Sequence, residues 1–215
     1  TYAAMIMRMD FQIGRIMKAL EDNRIAQNTI LIFTSDNGGE RFANTWPFSG
    51  RKTELLEGGL RIPVIVRWPG RIPAGKISQQ VMISMDWVPT LLEAGGAKAD
   101  ANYPLDGMSL IPTLTKNAAP VSRTLYWRYR QHNQQAMREG DMKYLKIDEN
   151  TFLFNVVNDP LERANLKKRQ PEVYARMEKQ FSAWDATMLP IDPKANSSGF
   201  KASEIAAHIN AKTDG

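Results

Sequence analysis

The chain has 215 residues, 43% of them hydrophobic and 24% charged, and its 28 basic and 23 acidic side chains give a net charge of +5. This length suits one medium domain or about one and a half small ones, and the absence of cysteine excludes disulfides and thiolate metal sites. The mild basic excess fits anionic substrates without implying nucleic acid, and no apolar run reaches the length of a membrane span.

The first predicted element is an amphipathic helix from about Tyr2 to Asp22. Its apolar side chains recur at helical spacing between Ile6 and Leu20, with charged residues between them. We expect the methionine-rich stripe of this helix to lie in the core. The helical pattern starts at the first residue without a starting methionine, so we also expect the chain to be cut from a longer one.

An apolar run, Thr29–Phe33, predicts a buried strand, and residues 35–40 (Ser-Asp-Asn-Gly-Gly-Glu) follow it closely. In open α/β sheets, ligands bind outside the carboxyl ends of the strands. The carboxylate of Asp36 beside the amide carbonyl of Asn37 suits a hard divalent cation such as Ca²⁺. The alternative is a turn without an ion, because Asp-Asn-Gly is also common turn chemistry.

A second glycine-rich stretch runs from Gly50 to Pro63 and contains Lys52. The strand-like Val64–Trp68 comes directly after it. A helix, a short loop and a buried strand in succession are typical of a doubly wound α/β sheet. The first part of the chain is therefore predicted to be α/β.

Further along, residues 81–84 predict a short strand, and Asp86 predicts the N-cap of a helix over Trp87–Ala94. From residue 122 the chain consists of short apolar runs separated by turns, which indicate antiparallel strands. The predicted strands are Thr124–Tyr129, Gln135–Arg138, Met142–Ile147 and Thr151–Asn155. Apolar residues at helical spacing from Val173 to Met188 predict a helix that packs on this sheet. The expected divisions are an α/β part (1–121), a small antiparallel subdomain with a terminal helix (122–190) and an irregular tail (191–215).

As a linked set, these motifs resemble the sulfatase family of the alkaline-phosphatase-like superfamily. The resemblance extends from the first residue to about Leu189 and implies the C-terminal portion of the catalytic chain. The fold it implies is part of an alkaline-phosphatase-like mixed sheet with flanking helices, followed by a small antiparallel sheet plus helix. The motifs that carry it, in order, are Ser35-Asp36-Asn37-Gly38, Lys52, Glu57-Gly58-Gly59, Arg61 and Pro63.

The resemblance implies a sulfuric ester hydrolase that uses Ca²⁺, or Mg²⁺ in its place, and a formylglycine nucleophile. Sulfated carbohydrates are candidate substrates. The family's formylglycine motif, Cys/Ser-X-Pro/Ala-X-Arg, is absent from this sequence, as are the family's N-terminal Asp pair and its catalytic His. We therefore expect the nucleophile to lie in a missing N-terminal half and this fragment to be inactive alone.

Individual site residues follow from the same resemblance. Asp36 and Asn37 match the second pair of calcium ligands, and Lys52 matches the lysine that contacts the sulfate group and assists the leaving oxygen. For Lys52 the alternative is a solvated loop charge. Glu40 and Arg41 stand where they could reach a substrate's sugar or aryl group, with a loop salt bridge as the equal alternative.

Other residues are predicted to be structural. We expect Glu57 and Arg61 to form a buried scaffold pair that fixes their loop. His132 is predicted to be a surface residue or a satisfied one rather than a catalyst.

Two other functions remain open. A related phosphatase or phosphonate hydrolase of the same superfamily would bind two zinc-type metals with more histidines than the two present here. A non-catalytic module could instead bind a protein partner or a glycan. For partners we expect a sulfated small molecule or glycan, no nucleic acid, and self-association through an exposed strand edge. The resemblance implies a periplasmic, extracellular or lysosomal location.

Overall fold

The structure is a computed structural model that describes residues 2–40, 42–116 and 118–192. The chain forms two compact units. The first contains the segments up to Asp36 and Pro63–Val121, and the second contains Asn37–Ile62 and the residues from Ser122 onward. The glycine-rich segment 37–62 thus belongs with the predicted small subdomain. The division of the chain at residues 121 and 190 stays a prediction, and the predicted tail lies outside the described residues after Asp192.

The described residues contain five α-helices and six strands. The helices are α1 (Tyr2–Asp22), α2 (Glu57–Leu60), α3 (Trp87–Ala94), α4 (Ile111–Lys116) and α5 (Pro171–Asp185). The strands are β1 (Leu31–Thr34), β2 (Val64–Arg67), β3 (Thr124–Tyr129), β4 (Gln134–Glu139), β5 (Met142–Ile147) and β6 (Asn150–Asn155). No described helix is both long enough and apolar enough to cross a membrane.

In the first unit, β1 and β2 form an antiparallel pair that runs from Leu31 opposite Arg67 to Thr34 opposite Val64. The chain contains helices, this pair and a second sheet of four strands, which confirms the predicted α/β class. Residues 81–84 are not a strand. Residues 84–86 instead form a short 3₁₀ turn that leads into α3.

Asp86 stands at the N-cap position of α3 as predicted, but it is fully buried and its carboxylate makes no capping hydrogen bond to the helix. One oxygen accepts a hydrogen bond from the Ile83 amide at 2.9 Å, and the other accepts one from the Met108 amide at 3.0 Å. The carboxylate thus joins the turn before α3 to the segment before α4. Because both carboxylate oxygens accept hydrogen bonds from these amides, the Asp86 side chain connects two segments and does not cap the first turn of the helix.

The methionine-rich stripe of α1 is exposed, so its predicted place in the core is wrong. No residue of α1 is buried, and the stripe residues Ile6, Met9 and Ile16 are 44%, 43% and 54% exposed. Helical spacing shows that a face is apolar without showing what covers it. Within the described chain this face is covered in part, since Ile13, Met17 and Leu20 are half-buried.

In the second unit, four antiparallel strands follow one another in the order β3-β4-β5-β6. Side chains alternate between the two faces of the sheet. One face packs against α5, where Met137, Tyr144 and Leu153 meet the helix residues Met177 and Phe181. The other face packs against the segment before α2. There Ala136, Leu145 and Phe154 of the sheet meet Leu55 and Leu56 of that segment. The sheet is therefore the support on which the glycine-rich segment rests.

Candidate active site

The loop after β1 carries the two predicted metal ligands. Asp36 is exposed and Asn37 is half-buried. Their carboxylate and amide oxygens are hard donors of the kind that Ca²⁺ accepts. Among the described residues, no three His, Asp, Glu or Cys side chains are grouped so that they could hold a metal ion. Because Ca²⁺ takes six to eight oxygens, these two residues fit part of a calcium site.

Glycines pack the two glycine-rich stretches together in the second unit. The Gly38 amide donates to the Gly59 carbonyl at 2.8 Å, and the Gly58 amide donates to the Ser49 carbonyl at 2.7 Å. A Cβ added to Gly38 would lie 1.8 Å from the Gly58 oxygen, and one added to Gly59 would lie 2.0 Å from the Glu54 oxygen. These positions therefore need glycine because the backbones touch.

Lys52 lies on the neighbouring turn. Its backbone amide donates to the Gly39 carbonyl at 2.9 Å, which joins it to the loop that follows Asn37. The side chain of Lys52 is exposed. The predicted sulfate-binding lysine and the glycines after the predicted metal ligands are thus connected through backbone hydrogen bonds.

A buried glutamine from β4 holds the turn of Lys52, and sequence analysis missed it. Gln134 is 1% exposed. Its Nε2 donates to the Thr53 carbonyl, and its Oε1 accepts from the Leu55 amide, both at 2.9 Å. Gln134 is about eighty residues from this turn in the chain, so no local pattern could have revealed the contact.

A cluster of buried charges fixes α2 against the sheet. The Nζ of Lys143 lies 3.0 Å from the Oε1 of Glu57 and 2.9 Å from the Oε1 of Glu162. The second oxygen of Glu162 accepts from the Glu57 amide at 2.7 Å. Arg61 and Arg138 flank the Glu57 carboxylate at 3.3 and 3.7 Å. Glu57 and Arg61 are paired as predicted, but the pair is not buried as expected, because the Arg61 side chain is 40% exposed. No sequence pattern indicates the parts of Lys143 and Glu162.

The two carboxyl groups of this cluster differ in acidity. Burial alone would raise the pKa of Glu57, but Lys143, Arg138 and Arg61 outweigh it and hold the pKa below its usual value. Burial raises the pKa of Glu162, and Lys143 and the Glu57 amide offset that rise only in part. All of these groups are engaged with one another, so the cluster is structural and offers no free group for catalysis.

The remaining predicted residues are more peripheral. Glu40 is exposed, and its carbonyl accepts from the Ala43 amide at 2.8 Å. Arg41 lies outside the described residues. The Nδ1 of His132 lies 3.2 Å from a carboxylate oxygen of Asp148, which agrees with a satisfied histidine. The roles of Glu40 and Arg41 as substrate contacts stay predictions.

Comparison with known proteins gives the family. The family model described as Sulfatase matches residues 1–97, and the one described as N-sulphoglucosamine sulphohydrolase, C-terminal, matches residues 51–186. The N-acetylgalactosamine-6-sulfatase of Canis lupus familiaris is 35% identical over 133 residues, which cover 59% of this chain and 26% of that protein. A protein named Sulfatase from Formosa agariphila is 31% identical over 85% of this chain and 39% of its own length.

Solved structures agree with these relatives. The crystal structure of Ps i-CgsB matches with a TM-score of 0.78 and 32% identity, over 85% of this chain and 42% of that one. The chain therefore spans less than half the length of each relative described. On the family matches and this structural likeness, the chain belongs to the sulfatase family and corresponds to a C-terminal portion of a sulfatase.

Proposed function

We propose that the protein containing this chain hydrolyses a sulfate ester of a carbohydrate. The observation that carries the proposal is the backbone link between the Lys52 turn and the loop that follows Asp36 and Asn37. That link joins the two motifs that resemble the sulfatase site. Names of the relatives support the substrate class: one is an N-acetylgalactosamine-6-sulfatase, and Ps i-CgsB has been crystallised in complex with k-i-k-neocarrahexaose.

In this proposal Asp36 and Asn37 supply part of the oxygen shell of a Ca²⁺ ion, or of Mg²⁺ in its place. The ion would draw charge from the sulfate oxygens and so favour the charge that develops as the ester bond breaks. Asp36 would offset one of the two positive charges of the ion, and Asn37 would add a neutral oxygen. The glycines that follow keep this loop close to its neighbour.

Lys52 binds an oxygen of the sulfate group and delivers a proton to the departing alcohol oxygen. Because Lys52 is exposed, its ammonium group stays hydrated until substrate binds, and its burial costs no folding free energy. A bound substrate would exclude water from the ammonium group and so strengthen its interaction with the sulfate. Glu40 and Arg41 contact the sugar or aryl part of the substrate. In the sequence these two residues directly follow the glycines after the predicted metal ligands.

The nucleophile is a formylglycine in a part of the protein that this chain does not include. The present chain carries no Cys/Ser-X-Pro/Ala-X-Arg motif, so we expect it to be inactive alone. A robust, metal-dependent turnover of an aryl sulfate by this purified chain would contradict that expectation.

The experiment that tests the function uses the whole protein and a sugar 6-sulfate as substrate. Lys52→Ala should lower kcat/KM by roughly a hundredfold or more, which is the scale expected for one electrostatic donor. The matched control is Lys76→Ala, an exposed lysine in a turn-rich segment of the first unit, which should keep full activity.

Three results would contradict the proposal. If Lys52→Ala and Lys76→Ala had equal activity, Lys52 would be a solvated loop charge. If the whole protein cleaved phosphate esters but not sulfate esters, it would be a phosphatase of the same superfamily. If it bound the sulfated sugar without cleaving it, the protein would be a binding module.

A further inference from the structure

The turn that carries Lys52 contains a residue in an unfavourable backbone conformation. The Glu54 amide donates to the Arg51 carbonyl at 3.0 Å, which closes a four-residue turn with Lys52 second and Thr53 third. Thr53 has φ of +75°. Lys52 is not among the described residues with positive φ. A hydrogen-bonded turn with positive φ at its third position but not at its second is of type II, and glycine or asparagine normally stands at the third position. A β-branched residue such as threonine is disfavoured in this region.

Contacts outside the turn therefore have to maintain this conformation. Gln134, on the face of the sheet that supports the glycine-rich segment, bonds the Thr53 carbonyl and the Leu55 amide at 2.9 Å each. Its Nε2 also donates to the Gln131 carbonyl at 3.1 Å. With 1% of its surface exposed, Gln134 competes with little solvent for these bonds. It fixes the residue after Lys52 to the rigid sheet.

On its other side, Lys52 is fixed by the bond from its amide to the Gly39 carbonyl at 2.9 Å. Rotation of Thr53 to a negative φ would swing its carbonyl and the residues that follow away from Gln134 and would open the turn. In an open turn, Lys52 would lose the support of the sheet on its C-terminal side. The position of Lys52 thus depends on a strained turn that Gln134 stabilises.

We propose that Gln134 is a positioning residue for Lys52, acting by holding Thr53 in its positive-φ conformation. This inference rests on the proposed function, in which Lys52 contacts the sulfate group and the leaving oxygen. Gln134 itself touches no substrate. Its effect on catalysis would therefore pass through the orientation of Lys52.

The first test measures hydrogen exchange in the whole protein, by mass spectrometry on the peptide that spans residues 50–56. Gln134→Ala should accelerate exchange of this peptide about tenfold or more. The matched control is Gln135→Ala, because the neighbouring glutamine is on the opposite face of the same strand. Unchanged exchange in Gln134→Ala, or equal acceleration in both variants, would overturn the proposal. If Gln134→Ala does not fold, Gln134→Leu keeps the buried volume and removes the same bonds.

The second test combines Gln134→Ala with Thr53→Gly. Glycine takes φ of +75° without strain, so the turn in this background no longer depends on Gln134. Gln134→Ala should lower kcat/KM about tenfold or more with Thr53 present, as expected for a misplaced catalytic group, and several-fold less with glycine present. An equal loss in both backgrounds would show that Gln134 acts independently of Thr53 and would overturn the proposal.

Substrates with different leaving groups distinguish a misplaced Lys52 from a general loss of protein stability. Because Lys52 is proposed to protonate the departing oxygen, Gln134→Ala should affect an alkyl or phenyl sulfate more than a nitrophenyl sulfate. A merely destabilised enzyme would lose activity equally with both substrates, and that result would overturn the proposal. If the whole protein hydrolyses no sulfate ester, the proposed function fails, and the exchange measurement still decides the role of Gln134.

Discussion

Single glycines determine how closely the two site loops approach one another. Gly38 lies so near Gly58 that an added Cβ would come within 1.8 Å of its carbonyl oxygen. Carbonyl oxygens of a bonded backbone move only if the whole loop moves. We therefore expect Gly38→Ala to lower the free energy of unfolding by about 2 kcal/mol or more, measured by urea denaturation.

The control for this prediction is Gly14→Ala in the middle of α1. Nothing lies within 4 Å of the position where its Cβ would be, and alanine is favoured over glycine in a helix by about 1 kcal/mol. Gly14→Ala should thus stabilise the chain while Gly38→Ala destabilises it. A Gly38→Ala chain as stable as the wild type would mean that the two loops separate at little cost.

At the same scale, the sequence indicates which residues have unusual surroundings but not what surrounds them. The paired glycines that follow Asn37 and Glu57 indicate, from the sequence alone, that the backbone approaches a neighbour closely. Gln134 and Lys143 carry no such indication, because their partners are distant in the chain. Burial of a polar side chain is a tertiary property, and a single sequence contains no local sign of it.

Among the elements, α2 is held to the sheet by charge as well as by apolar contact. Lys143 on β5 has no exposed surface and lies between Glu57 and Glu162. Lys143→Met would leave two buried carboxylates without their shared cation. We expect it to lower the free energy of unfolding near neutral pH by about 3 to 5 kcal/mol, the usual cost of removing one partner of a buried ion pair.

The pH dependence of the free energy of unfolding tests whether unpaired carboxylates cause the loss of stability in Lys143→Met. In the wild type, the lowered pKa of Glu57 stabilises the fold above the usual glutamate range, and this contribution is lost as the pH falls through the lowered pKa. The raised pKa of Glu162 has the opposite effect, since its favourable contribution exists below the usual range and is lost as the pH rises through the raised value. Without Lys143 the pKa of Glu162 should rise further, and the pKa of Glu57 should rise as well, because Arg138 and Arg61 alone remain to lower it. The loss of stability in Lys143→Met should therefore be smaller in mildly acidic buffer.

Urea denaturation at the two pH values, with Lys146→Met as the control, makes this measurement. Lys146 is on the same strand and only half-buried, so its replacement should change stability little at either pH. A deficit of Lys143→Met that stayed constant across the two pH values would point to lost packing rather than to unpaired carboxylates.

Elements with a complete local pattern could be predicted from the sequence. The bounds of β3 and β5 match the expected strands, β4 is one residue longer than expected at each end, and β6 begins one residue earlier. Alternation and turns mark such strands at both ends. The predicted strand over residues 81–84 is absent from the structure, because a short apolar run forms a strand only where another strand pairs with it. The association of 37–62 with the four-stranded sheet depends on long-range contacts that no window of sequence contains.

At the scale of the whole molecule, α1 has an apolar face that the described chain does not bury. Its methionine stripe has the pattern of a buried helix, yet no residue of α1 is buried within the described chain. Exposed apolar surface of this kind favours association. The predicted self-association of the isolated chain is based on an exposed strand edge, and it stays a prediction to which the exposed face of α1 adds.

The metal site makes a related prediction for the whole chain. Asp36 and Asn37 supply only part of a calcium shell, and the described residues offer no group of three acidic or histidine ligands beside them. We therefore expect this chain to bind Ca²⁺ weakly, with a Kd of about a millimolar, as in weak calcium modules. Calorimetric titration measures the affinity, and the double variant Asp36→Ala/Asn37→Ala should abolish the heat of binding.

The chain offers a matched control in a second Asp–Asn turn. The carboxylate of Asp100 accepts hydrogen bonds from the amide and side chain of Asn102, at 2.9 and 3.1 Å, on an exposed turn. Asp100→Ala/Asn102→Ala should leave calcium binding unchanged. If all three proteins gave the same heat, binding would be diffuse and Asp36 and Asn37 would be turn residues. If only the Asp36/Asn37 variant lost it, these two residues would already select the ion before any further ligand joins them.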